Sequence, residues 1–483
     1  MKRFALLVLA ALVVGPALWA QSDASSSNGT ATAAPAGAGS SAAPAAAGAA
    51  AAGSGEDEFF GSGEVEAKQG AAEKQNVAEA VEAQRLGFSG QLQTLSSYTM
   101  TRNFVAGATG FSDNTFANTI MGDFLVDARF PKSFRMFLDL NLNYIPTGVM
   151  VPINMIETSP IQQPLTVLQN QTTLLDIKEI FVDFNFANTV KFRAGKQVLQ
   201  WGTGYFWNPT DLINVAHKSF TNLNALLDGV FGLRTDVTFS PVFHLYTFIN
   251  LNNVEDLTNV AYAARTEFLA GKVEFGFAGW YQYSKIPVFG ADITMPLFWE
   301  LNMTGEASLS YGDNAQKIDT NGNSYSVSGQ LVPKVDIGLS RTFDVLNVQD
   351  RLTVMAEFFW NSDGYGQNMF QTLITPGSVP FPSSPYYHAS YYGQYYGALF
   401  VSINQFGLPN MTLTLNGLCN FSDTSAIALV GLSDSPVSNF TLQLQVGSFL
   451  GPSNAEYTST PNATTNGLTS NMFLVILSAQ VNF

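Results

Sequence analysis

The side chains able to do covalent or metal chemistry are few: three histidines and one cysteine in 483 residues. His217, His244 and His388 stand far apart and form no H-x-x-x-H pair, and Cys419 has no second cysteine. Neither a metal centre nor an internal disulfide is expected from such spacing. No G-x-S-x-G element marks a nucleophile elbow. The expectation is a protein that is not an enzyme and carries no cofactor. What remains is charge, set at alternate positions of short segments: Asp183, Lys191, Arg193, Arg234, Asp236, Arg265, Glu267, Glu300, Glu306, Asp336 and Glu357. Groups of this kind bind water, ions and one another, and do electrostatic work without making bonds.

The segments around these residues decide where they point. Ile120, Gly122, Phe124, Val126, Ala128 and Phe130 alternate with Met121, Asp123, Leu125, Asp127 and Arg129. Beyond a three-residue turn, Phe134, Met136, Leu138, Leu140, Leu142 and Tyr144 alternate with Arg135, Phe137, Asp139, Asn141 and Asn143. Successive strand side chains point to opposite faces, so each run has one apolar and one polar face, and the turn keeps both apolar sets together. The same grammar predicts about eighteen strands, near 89–102, 118–130, 134–145, 175–186, 190–201, 230–239, 243–252, 260–268, 272–284, 287–295, 298–311, 333–343, 351–361, 391–404, 410–420, 425–433, 439–449 and 472–483. Every second connection is short. The alternate set holds the long ones, around 146–174, 202–229, 312–332, 362–390 and 450–471. Short turns at one end and long loops at the other are the layout of a transmembrane antiparallel up-and-down β-barrel. A short connection near 285–286 breaks the rule, so sixteen strands is the alternative count.

Composition agrees with this all-β reading. The chain is 46% hydrophobic but only 12% charged, against about 25% charged in ordinary soluble domains. After the first twenty positions it has no apolar run of the roughly 20 residues that a spanning helix needs. A Lys or Arg at the lipid midplane of a barrel costs about 2–4 kcal/mol, so the charged parity is predicted to face the lumen. Arg341 shares parity with Val335, Ile337 and Leu339 and is placed at the interface. Within one hairpin Asp183 falls opposite Arg193, and Asn185 opposite Lys191. Arg129 falls opposite Arg135, with Asp127 beside them. Inward acids outnumber inward bases, which leans such a lumen toward cations. The net charge of −15 argues against a nucleic-acid partner.

Met1–Ala20 has a basic start, an apolar stretch and small residues before Gln21, the pattern of a signal peptide. Residues 21–55 are an Ala/Gly/Ser/Pro tract suited to a flexible linker. Residues 56–86 are read as a periplasmic segment, a weakly ordered spacer or a short helix, and 87–483 as the barrel.

Two segments resemble known families. Met472–Phe483 reads M-F-L-V-I-L-S-A-Q-V-N-F, with Phe473, Val475, Leu477 and Phe483 on one face. It resembles the assembly signal of bacterial outer-membrane β-barrels. Gly195–Asn214 contains W-G-T-G-Y-F-W-N-P-T-D, which resembles a stretch of porin-like outer-membrane proteins loosely related to the alginate-export type. The resemblance implies a loop that folds inward to narrow the pore, with Trp201, Tyr205, Trp207, Asn208 and Asp211 as constriction candidates and His217 and Lys218 further along. Sixteen to eighteen strands with this charged lining leave a mildly acidic, water-filled lumen, and the expected function is a porin that passes small hydrophilic solutes. Outer-membrane lipid, the barrel assembly machinery and a homo-oligomer are the implied partners. The alternative is a ligand-binding, adhesin-like or hydrophobic-solute barrel, in which the aromatic loop around Tyr386, Tyr387, His388, Tyr391 and Tyr392 would grip a ligand.

Overall fold

The computed structural model describes residues 86–101, 115–130, 133–145, 173–186, 189–213, 220, 228–252, 254–370, 372, 381–462 and 467–483. The predicted signal peptide and linker, and the periplasmic segment up to residue 85, lie outside these residues, as do His217 and Lys218; Leu86 already belongs to the first strand. In chain order the strands are β1 (Leu86–Thr101), β2 (Thr115–Phe130), β3 (Phe134–Tyr144), β4 (Thr173–Phe186), β5 (Val190–Gln197), β6 (Val230–Ser240), β7 (Phe243–Asn250), β8 (Ala261–Ala270), β9 (Val273–Gln282) and β10 (Val288–Pro296). There follow β11 (Asn302–Ile318), β12 (Ser324–Val345), β13 (Val348–Asn361), β14 (Tyr395–Asn404), β15 (Met411–Asn420), β16 (Ser425–Val437), β17 (Phe440–Leu450), β18 (Ser459–Asn462) and β19 (Gly467–Asn482).

Each strand pairs antiparallel with the next around the wall, and β19 closes the ring by pairing with both β17 and β1. The short β18 pairs only with the start of β19, which leaves eighteen strands in the barrel. Both strands flanking the 285–286 connection are present, so the sixteen-strand alternative falls. At the seam, the Gly90 N–H donates to the Phe483 carbonyl (2.9 Å) and the Phe483 N–H donates back to Gly90 (3.0 Å).

The apolar parity faces out. Phe124, Phe184, Phe231, Phe277, Phe289, Leu339, Phe358, Leu399, Leu415 and Leu477 are all exposed. Burying a side chain of this size is worth about 1.5–3 kcal/mol, so a continuous belt of them requires acyl chains around it. Inside, Asp183, Arg193, Asp236, Arg265, Asp292, Glu306, Asp336 and Glu357 are buried. That is a soluble protein turned inside out. Arg341 does lie on the outward row, its guanidinium 4.5 Å from the Phe343 ring.

Three expectations are corrected. The connection expected over 312–332 is a hairpin, since β11 runs to Ile318 and β12 starts at Ser324. The strand expected from 298 begins at Asn302, because Phe298–Glu300 forms a single helical turn with Trp299 and Glu300 at positive φ (57° and 58°). Glu300 is therefore exposed on a turn and lines no wall. The aromatic loop is not a free surface open to a ligand. Tyr392, Phe370, Phe381, Met369 and Ile318 form a buried cluster, with Tyr365, Tyr386 and Tyr387 packed on it.

Candidate functional site: an inward segment seated on buried carboxylates

The charged inner wall is a set of fixed ion pairs. Asp183 on β4 stands opposite Arg193 on β5, with Nε–Oδ1 2.6 Å and Nη2–Oδ2 2.9 Å. Both side chains are fully buried, and the guanidinium lies 3.8 Å from the Phe181 ring centroid. Burial makes a planar two-pronged pair the favoured arrangement, because a single unpaired charge there would cost several kcal/mol. Arg135 approaches Asp183 at 3.5 Å and Asp127 at 2.8 Å, and Asp127 also takes Arg129 at 3.0 Å. One carboxylate thus relieves the like-charged pair at that turn. Lys191 lies between Asn185 and Asp236 in the ladder, and Asp236 pairs with Arg234 at 2.9 Å. Arg265 is held by Asp292 (2.6 and 3.0 Å) and Glu267 (3.0 Å). Asp292 reaches it across Gly276, where a Cβ would sit 2.3 Å from Asp292 Oδ2.

Between β5 and β6 the chain turns away from the wall. Trp201 is buried with Leu199, Ile213, Val230, Phe248, Ala263 and Ala278, against the inner face of β6–β9. From Gly202 the backbone reaches β11 and β13, six and eight strands further round than β5. There the N–H groups of Thr203 and Gly204 donate to Glu306, joined by the Thr210 N–H (3.2 Å) and hydroxyl (2.7 Å). The Tyr205 and Phe206 N–H groups donate to Glu357, the latter at 2.8 Å. Two carboxylates therefore form a seat for one stretch of main chain. Each is buried, and backbone donors supply what water would otherwise provide.

The glycines of W-G-T-G follow from that contact. Gly202 sits at φ +104°, and a Cβ there would lie 2.5 Å from Glu306 Oε1. A Cβ on Gly204 would lie 2.0 Å from the Trp207 carbonyl and 3.1 Å from Asp336 Oδ2. Only glycine lets the main chain come this close. The N-P-T-D element is a turn, closed by the Asp211 N–H on the Asn208 carbonyl (3.1 Å), with Pro209 in the position whose φ suits it.

Aromatic packing completes the anchorage. Trp207 is fully buried, stacked on Phe359 (5.6 Å, 14°) and tilted against Tyr396 (5.8 Å). Its Nε1–H donates to the Ser390 carbonyl at 2.9 Å, and the Asn208 N–H donates to the Tyr391 hydroxyl at 3.2 Å. Tyr205 meets Phe400 edge-on at 4.8 Å. The five candidates from the sequence thus lie on one segment, but at two places: Trp201 by its own side of the wall, and Tyr205, Trp207 and Asn208 across the barrel, with Asp211 on the returning turn. Glu306 and Glu357, expected as wall carboxylates facing solvent, are the seat of that segment. Ser390 and Tyr391 were not foreseen as its partners, and nothing local to either position announces it.

No protein-family model and no curated protein matches the chain. Solved structures do. OccK8 (OprE) of Pseudomonas aeruginosa superposes with a TM-score of 0.52 at 9% identity, over 82% of this chain and 98% of that one. The fold is the one those barrels share. OccK9 (OpdG) of the same organism (TM-score 0.50, 9% identity, 82% and 98% covered) and OccAB4 of Acinetobacter baumannii (0.50, 9%, 83% and 98%) match alike. At such identity the likeness concerns the arrangement of strands and carries no residue-level role.

Proposed function

We propose that this protein is an outer-membrane porin, in which small hydrophilic solutes diffuse through the barrel past a narrowing formed by residues 201–211. The observation that carries the reading is the main chain held by Glu306 and Glu357 on the far wall, inside a barrel whose outer belt is apolar and whose inner face is charged. A barrel of eighteen strands has room for such a segment and still leaves a lumen, whereas about eight strands fill with side chains. Replacing residues 203–210 with a short Gly-Ser linker is expected to raise single-channel conductance in planar bilayers. Unchanged conductance would remove the narrowing from the proposal, and no conductance from either protein would remove the porin.

Arg193, Arg234 and Arg265 are committed to carboxylates, while Asp123 is held by the neutral amides of Gln91 and Asn141. This distribution supports a preference for cations. Reversal potentials in a salt gradient are expected to show potassium passing more readily than chloride, and a chloride preference contradicts the reading.

The outward row Phe473, Val475, Leu477 and Phe483 is proposed as the element recognised by the barrel assembly machinery. Phe483→Ala also removes a ring lying 6.0 Å from Phe124 beside the seam. It is expected to lower the yield of heat-modifiable barrel in the outer membrane. An unaltered yield would assign recognition elsewhere.

The hydrophobic-solute alternative has one observation in its favour. Leu95, Leu474 and Ile476 form an apolar cluster on strands whose polar inward residues include Gln93, Ser97 and Ser478. Saturable uptake of an apolar solute without ion conductance would favour that reading.

A further inference from the structure

Three connections meet at one buried carboxyl group, and that group reaches the inward segment through Ser390 and through Tyr396, which touches both Glu456 and Trp207. Glu456, in the connection between β17 and β18, accepts the Ser390 N–H (2.6 Å) and the Tyr387 hydroxyl (3.2 Å) on Oε1, and the Asn420 amide (2.9 Å) on Oε2. Its own N–H donates to Asp423 Oδ2 at 2.8 Å, in the turn between β15 and β16. Ser390 belongs to the connection between β13 and β14. It is buried, sits at φ 58°, and shares a hydrogen bond with the Tyr457 hydroxyl at 3.1 Å. The carbonyl of that same residue accepts the Trp207 indole. A left-handed serine costs of order 1–3 kcal/mol and persists only where its surroundings over-determine it.

We propose that Glu456 is a positioning residue for the passage: through Ser390 it sets where the Trp207 indole stands inside the barrel. This deepens the porin reading and rests on taking residues 201–211 as the narrowing. Glu456 is buried and does not touch the segment itself, so its effect on solute passage is indirect and runs through the Ser390 peptide group, with Tyr396 beside it.

The groups facing Glu456 are Asp423 from the β15–β16 turn, Tyr387 and Tyr392 from the β13–β14 connection, Tyr396 from β14, and Tyr457 beside it. Burial, with Asp423 adding to it, pushes the Glu456 carboxyl up to about 8 from an ordinary 4.5. The folded loops therefore favour the protonated form. The stability it lends is complete below about 4.5 and is lost as pH rises through about 8. A charge at this place is buried against Asp423, and admitting water to relieve it parts the packed connections, which shifts Ser390 and with it the indole.

The test is single-channel conductance of refolded full-length protein across the pH range that brackets about 8, for wild type, Glu456→Gln, Glu456→Ala and Trp207→Ala. Wild type is expected to conduct more as pH rises through that value. Glu456→Gln keeps acceptor and donor but cannot ionise, so its conductance stays at the acid level throughout. Glu456→Ala conducts at the raised level at every pH, and Trp207→Ala abolishes the pH response. Heat-modifiable mobility reports folding, and should Glu456→Ala fail to fold, the glutamine variant decides. A glutamine variant with the wild-type pH response overturns the proposal, as does a folded alanine variant that conducts like wild type. Trp207→Ala conducting like wild type is a different failure, since it removes the narrowing itself.

Discussion

Replacing Glu306 with alanine is expected to raise single-channel conductance and to expose residues 203–210 to protease, while the barrel stays folded. Glu306 accepts three main-chain N–H groups and one hydroxyl, from Thr203, Gly204 and Thr210. Removing the acceptor leaves buried donors unsatisfied at about 1–3 kcal/mol each, enough in sum to drive the segment toward water. The wall survives because β11 is held by its ladders to β10 and β12, in which the Glu306 side chain takes no part. Gly204→Ala is expected to reach the same end from the other partner, since its new methyl would collide with the Trp207 carbonyl. Conductance and proteolysis at wild-type levels in the folded Glu306→Ala protein would show that the segment is not held there.

The second large effect is on stability. Asp183→Ala leaves the fully buried Arg193 without its two-pronged partner. Breaking such a pair from one side costs about 3–5 kcal/mol, much of it the penalty of an uncompensated charge. Replacing both residues, as in Asp183→Leu with Arg193→Met, is expected to recover most of the loss because no charge remains to be solvated. The measurement is the urea midpoint for unfolding from detergent micelles. A single variant as stable as the double would contradict the account. Arg129→Ala serves as the contrast. Its partner Asp127 keeps Arg135, and Arg129 is half exposed, so the change should stay under about 1 kcal/mol.

How much of this was legible beforehand varies with distance from the bilayer. Where lipid covers the outer face, alternation is enforced residue by residue, and the hairpins around Asp127–Arg135 and Asp183–Arg193 could be registered from parity alone. Past Leu331 the outer face of the β11–β12 hairpin meets water, Tyr325 being its only large exposed apolar residue there. With water outside and the β13–β14 connection packed on the inside around Ile318, nothing enforces an outward apolar parity, and two real strands read as a loop. Glu300 failed for another reason. Parity was extended through a turn whose backbone, at positive φ on Trp299 and Glu300, had already left the strand. The tyrosines at 386, 387 and 392 are aromatic whether they meet lipid, ligand or one another, and only packing separated those cases.

The glycines and aromatics of residues 201–211 could be read as a special structure but not as a partner for anything in particular. By itself the sequence determined a closed wall, its greasy and charged faces, and the place where the chain leaves that wall, since these follow from a period of two and from the cost of charge in lipid. Tertiary structure alone decided that Glu306 and Glu357 carry the inward segment and that Ser390 and Glu456 stand behind it. Those contacts join positions 66 to 183 residues apart, and a carboxylate that will receive main-chain amides has the same local surroundings as one that will face water.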